Sequence, residues 1–158
     1  MMELRISKSS GNLHTIVYKR SDASEFWQRS DDFFIRHDLS HFAIEKILGF
    51  KTAFMGMINN GMGARDFEDR EKRKIMIISS EAWYAENMAN LFLMEITQGE
   101  LENFNLVSQD AFRTMKLPIP LPVFGNEEIN SIRTCLRQLL KQWSRLPVNE
   151  TMILTIDV

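Results

Sequence analysis

Cysteine is almost missing from this chain: Cys135 stands alone among 158 residues. A single thiol excludes an intramolecular disulfide and leaves a reducing, cytoplasmic setting as the expectation. Charge of one sign is also lacking. The 19 basic and 21 acidic residues leave a net charge of −2, which offers neither nucleic acid nor an anionic membrane an electrostatic footing. No apolar run approaches the ~20 residues that a membrane-crossing helix needs. Met1-Met2-Glu3-Leu4-Arg5 lacks the apolar stretch of a secretory leader, so none is expected. No glycine-rich phosphate loop, nucleophile elbow or cysteine pair occurs. Asn59-Asn60-Gly61-Met62-Gly63 contains glycine without phosphate-loop spacing and reads as a turn.

What remains is ordinary globular material, 44% hydrophobic and 25% charged, of a length that suits one domain over residues 1–158. Ten methionines are scattered along it and read as adaptable core filling. Leu4 and Ile6 alternate with polar residues, Ser9-Ser10-Gly11-Asn12 carries turn chemistry, and Thr15 to Tyr18 are β-formers. These features predict an N-terminal hairpin. Asp22 to Arg29, with Phe26 and Trp27, reads as a polar-aromatic connection. At the other end, Met152, Leu154, Ile156 and Val158 alternate along a terminal strand. The expected fold is α+β: a small antiparallel sheet from the N-terminal hairpin and the C-terminal strand, packed on a mainly helical midsection.

In that midsection a helix is predicted from near His37 to Gly49, with a short second one over 52–60. A third, capped by Ser79 or Ser80, runs to about Thr97 with Ala85, Met88, Ala89, Phe92 and Ile96 as its main stripe. Trp83, Leu91 and Met94 make its other faces apolar, so it is either central in the monomer or shared in a homodimer. Arg65 to Lys74 is a mixed-charge run that reads as a solvated loop or an exposed helix start. Prolines 118, 120 and 122 predict an extended connector. Asn126 then caps an amphipathic helix whose inward face is Ile129, Ile132, Leu136, Leu139, Leu140 and Trp143.

The chain holds three histidines, and two of them, His37 and His41, stand four apart in Arg36-His37-Asp38-Leu39-Ser40-His41-Phe42-Ala43-Ile44-Glu45. A helix turns about 100° per residue, which sets His41, Glu45 and Asp38 about 40°, 80° and 100° from His37. Leu39, Ala43 and Ile47 fall between about 200° and 280° on the same count. One face therefore gathers two imidazoles and two carboxylates, the donor set for a divalent metal such as zinc, with His37, His41, Glu45 and Asp38 as candidates. A further ligand from another segment is expected, with Asp66, Glu68 and Asp69 as candidates. His14 reads as a surface residue on the second strand. Cys135 reads as a small hydrophobe beside the last helix's apolar face.

His37-Asp38-Leu39-Ser40-His41, then Glu45, Gly49, Gly56 and Gly63-Ala64-Arg65, resembles a group of uncharacterised bacterial proteins with an H-D-x-x-H-x-x-x-E stretch. That resemblance implies no assigned activity. The H-D-x-x-H core is also similar to the zinc motif of a ubiquinone-biosynthesis family, which is mainly helical and places a glutamate after eleven further residues. Ala53 stands there in this chain, and Met57 does when the following small-residue segments are aligned. The adjacent His-Asp pair resembles that of the HD phosphohydrolases, which use additional histidines where this chain has only His14. Two functions follow as expectations. One is a divalent-metal site supporting metal-assisted hydrolysis of a small-molecule substrate, with a concave pocket at the His37 face. The other is a non-enzymatic protein-interaction or homo-oligomeric structural module with no metal, using the long apolar third helix and its methionines.

Overall fold

Alternation of apolar and polar residues at both chain ends produces one four-stranded antiparallel sheet. The computed structural model describes residues 1–63, 66 and 79–158. Strands β1 (Met2–Ser7), β2 (His14–Lys19), β3 (Glu25–Ser30) and β4 (Thr151–Ile156) lie in the order β3-β2-β1-β4. Leu4 pairs with both Tyr18 and Leu154, and Ile6 with both Ile16 and Met152. That register puts Met2, Leu4, Ile6, Ile16, Tyr18, Met152 and Ile156 on one buried face.

β3 corrects the expectation of a connection over 22–29. Its inward positions are Phe26, Gln28 and Ser30, so the strand lacks the apolar alternation that marks β1 and β2. It forms because the Arg20–Ser24 turn returns the chain alongside β2. In that turn Ala23 takes φ 69°, and Asp22 accepts from the Ser24 backbone and hydroxyl. Tyr18 and Phe26, paired in register, then stack with centroids 5.5 Å apart.

Helices cover the buried face: α1 (Asp32–Leu48), α2 (Phe54–Asn59), α3 (Ser80–Gln98), α4 (Phe104–Met115) and α5 (Asn126–Arg145). α1 starts at Asp32 rather than near His37, because Asp31 caps it by accepting from Phe34 N at 3.0 Å. Asp38 therefore lies a turn further in than expected, away from the helix start. Gly49 ends α1 at φ 67°, and its N–H is donated to Glu45 O. α1 packs on the sheet, α3 and α5 at once, which buries its polar side as well as its apolar one. Asp38, Ser40, His41 and Glu45 are buried with Leu39, Phe42 and Ala43, while Ile47 is partly exposed.

α3 is capped by Ser79, whose side chain accepts from Ala82 N, and stops before Gly99. Ala85, Met88, Ala89 and Phe92 are buried as expected, Ile96 is 43% exposed, and Leu91 packs on the core. α4 was not singled out by periodicity. It is held to the proline connector by Asn105, which donates to Phe124 O and accepts from Phe124 N. α5 buries the six residues of its expected face, but its N-cap is Gly125 rather than Asn126, and Glu128 accepts from Gly125 N at 2.8 Å.

His14 lies on the buried sheet face rather than the surface. It accepts from Ser9 N, and its ring meets Trp143 edge-on at 4.9 Å. Among the described residues no helix is long and apolar enough to cross a membrane. Arg65 and the 67–74 part of the charged run lie outside the described residues.

Candidate metal centre

α1 and α3 pack side by side, and their seam brings a third group to the histidine pair. Being four apart on α1, His37 and His41 meet edge-on, with ring centroids 4.7 Å apart and planes at 65°. Glu86, from α3, reaches both. Its Oε1 is 3.3 Å from His37 Nε2, and its Oε2 is 2.9 Å from His41 Nε2. One donor atom from each of the three residues lies within 4.8 Å of the others. His41 is buried, His37 is partly buried with 17% of its side chain exposed, and the Glu86 side chain is 53% exposed, so the cluster opens to solvent on the α3 side.

Glu45 and Asp38 share the helix face but not this group. Glu45 lies behind His41, with Oε1 3.1 Å from Nδ1 and Oε2 accepting from Met55 N at 2.8 Å. Asp38 turns toward the sheet, where Oδ2 accepts from the buried Tyr18 hydroxyl at 2.6 Å. Its Oδ1 stands 3.7 Å from His37 Nδ1. Each imidazole thus presents Nε2 to the shared centre and has a carboxylate near Nδ1. Phe54 lies against the His41 ring, centroids 4.9 Å apart. Asp66 accepts from Gly63 N, while Glu68 and Asp69 lie outside the described residues.

Electrostatics follow from this convergence. Burial alone would lower the pKa of His37, but the neighbouring Asp38 and Glu86 carboxylates more than offset it and raise it to about 9. For His41 burial again lowers the value, and Glu45 and Glu86 together raise it against the opposing charge of His37. Hydrogen bonds from His37 and His41 hold the Glu86 carboxyl well below its usual range despite burial. Tyr18 is raised well above its ordinary value by burial and by Asp38. Two imidazoles with a carboxylate between them can share protons or ligate a cation in their place.

Glu86 escaped the linear reading because it stands 45 residues from His41. One signal for it existed: Glu86 and Asn90 are polar residues four apart on a helix otherwise apolar on most sides. The clefts at Phe92, Glu95, Arg133 and Arg137, and beside Met1, Lys46 and Lys51, include none of the three. Comparison with protein-family models, with curated proteins and with solved structures returned no match.

Proposed function

We propose that this chain binds a divalent metal ion of the zinc class through His37 Nε2, His41 Nε2 and the Glu86 carboxylate, and that the ion serves metal-assisted hydrolysis. The observation that carries the reading is the convergence of these three donors, within 4.8 Å of one another, from two helices. Two imidazoles and one carboxylate suit zinc in type and number. Three protein ligands leave a coordination position for water, as catalytic sites do. The half-exposed Glu86 supports an open position on the solvent side of the seam.

The test is elemental analysis and zinc titration of the full chain, purified without a histidine tag, beside His41→Ala. The expected result is one zinc per chain, lost in the variant. Sub-stoichiometric metal with no difference between the proteins ends the reading. Hydrolysis is then assayed on p-nitrophenyl esters and phosphates with zinc-loaded and chelated protein.

A second reading, a homo-oligomeric module, draws on the outer sheet face. There Trp27 and Ile153 are 65% and 57% exposed, in register with Val17 and Arg5 between them. A single sedimenting species of 18.5 kDa across a wide concentration range excludes it.

A further inference from the structure

We propose that Glu45 is a positioning residue for this metal site, setting the ring orientation and tautomer of His41 and tying both to the start of α2. The inference rests on the ligand reading above and extends it to a residue that does not touch the ion.

Glu45 is completely buried, and both its oxygens have partners. Oε1 faces His41 Nδ1 at 3.1 Å. An imidazole that gives its Nδ1–H to a carboxylate keeps the proton off Nε2, so the Nε2 lone pair is free for a metal. Oε2 accepts from Met55 N at 2.8 Å. That N–H belongs to the first turn of α2, where helix donors lack partners within the helix. Ala53, the N-cap, supplies no side-chain acceptor, so Glu45 takes that part from a different helix. Phe54, the residue before Met55, lies against the His41 ring at 4.9 Å. The imidazole is therefore held at one edge by Glu45 and packed against the Phe54 ring, tilted 40° to it. His37 has no equal constraint: its nearest Asp38 oxygen is 3.7 Å away, and the other Asp38 oxygen is engaged by Tyr18. His41 is the pre-oriented ligand and His37 the adjustable one.

Glu45→Gln separates positioning from packing. The glutamine carbonyl can still accept from Met55 N, so α2 keeps its anchor. Its amide can only donate to Nδ1, which moves the imidazole proton onto Nε2 and blocks the ligand atom. Zinc titration is run on the wild-type chain and Glu45→Gln, with histidine-ring ¹⁵N spectra of the zinc-loaded wild type. The expected results are an affinity about 10–100-fold weaker in Glu45→Gln, and a wild-type spectrum with the proton on His41 Nδ1 and zinc on Nε2. Unchanged affinity in a folded Glu45→Gln, or zinc on His41 Nδ1 in the wild type, overturns the inference and leaves the ligand reading standing. Should Glu45→Gln fail to fold, the wild-type ring spectrum decides alone. Absence of zinc uptake by the wild type overturns the ligand reading, and the role of Glu45 with it.

Discussion

Glu86 Oε2 lies 2.9 Å from His41 Nε2, across the seam between α1 and α3. The other oxygen of the same carboxylate faces His37 Nε2, so one side chain bridges both imidazoles. Glu86→Gln keeps the shape and removes the charge. It should weaken zinc binding by more than the ~10–100-fold expected for a residue that only orients a ligand. Isothermal titration of wild type, Glu86→Gln and Glu45→Gln gives the order. A Glu86→Gln affinity equal to wild type would remove Glu86 from the ligand set.

The metal-free protein should carry a pH signature from this cluster. His37 is raised from 6.5 to about 9, so its contribution to stability is complete below pH 6.5 and is lost as pH rises through about 9. Glu86 is shifted down from 4.5, so its contribution is present above that value and lost as pH falls below it. Both are in force between pH 4.5 and 6.5. Melting temperatures in chelator from pH 4 to pH 10 should therefore fall on either side of that window, and the fall should be shallower in Glu86→Gln. Zinc competes with these protons, so its affinity should climb between pH 6.5 and about 9.

Glu95 and Arg133 test burial against exposure. Arg133 Nε and Nη2 reach the buried Glu95 carboxylate at 2.9 and 2.6 Å, and Leu101 N donates to it at 2.7 Å. Glu95→Ala takes the buried partner from Arg133, which keeps Glu100 at 3.6 Å and Asn130 at 3.0 Å, and leaves Leu101 N without its acceptor, so it should cost about 1–3 kcal/mol in urea denaturation. Asp110→Ala removes the exposed partner of Arg113 and should cost no more than about 1 kcal/mol. Equal effects would mean that the Glu95 pair contributes no more than a surface contact.

Gly56 occupies the one turn of α2 that passes beneath Lys51, where a Cβ would overlap the Lys51 carbonyl oxygen. Backbone cannot yield as a flexible side chain does, so Gly56→Ala should shift α2 despite alanine's higher helix propensity. A lower melting temperature with weakened zinc binding is expected, since the first turn of α2 carries the Met55 N–H that donates to Glu45. A gain in stability would show that the 51–56 backbone relaxes freely.

Removing residues 151–158 deletes β4, exposes the edge of β1 and uncovers the buried partners of Met152 and Ile156. Burial of two such side chains is worth roughly 3–6 kcal/mol, which corresponds to a melting temperature lower by about 10 °C or more. An unchanged melting temperature would mean that β4 contributes nothing to the sheet's stability.

Much of the architecture was legible in the chain because its cause is local. The alternation in β1, β2 and β4 and the 3.6-residue period of Ile129 to Trp143 each name a face, and the elements bury those faces. His37 and His41 meet because four residues make about one helical turn, whatever surrounds them. Tertiary structure decided the rest. β3 carries Gln28 and Ser30 inward, so its identity as a strand comes from pairing with β2 rather than from its own pattern. His14 is buried because Trp143, more than a hundred residues later, packs against it. The shared helix face grouped Glu45 and Asp38 with the histidines. Packing assigned them elsewhere, Glu45 to the back of His41 and to α2, and Asp38 to Tyr18 in the sheet. The third member of the cluster, Glu86, depends on the axial register of α1 against α3. Interlocking side chains along a whole helix seam set that register, and no single segment's periodicity encodes it.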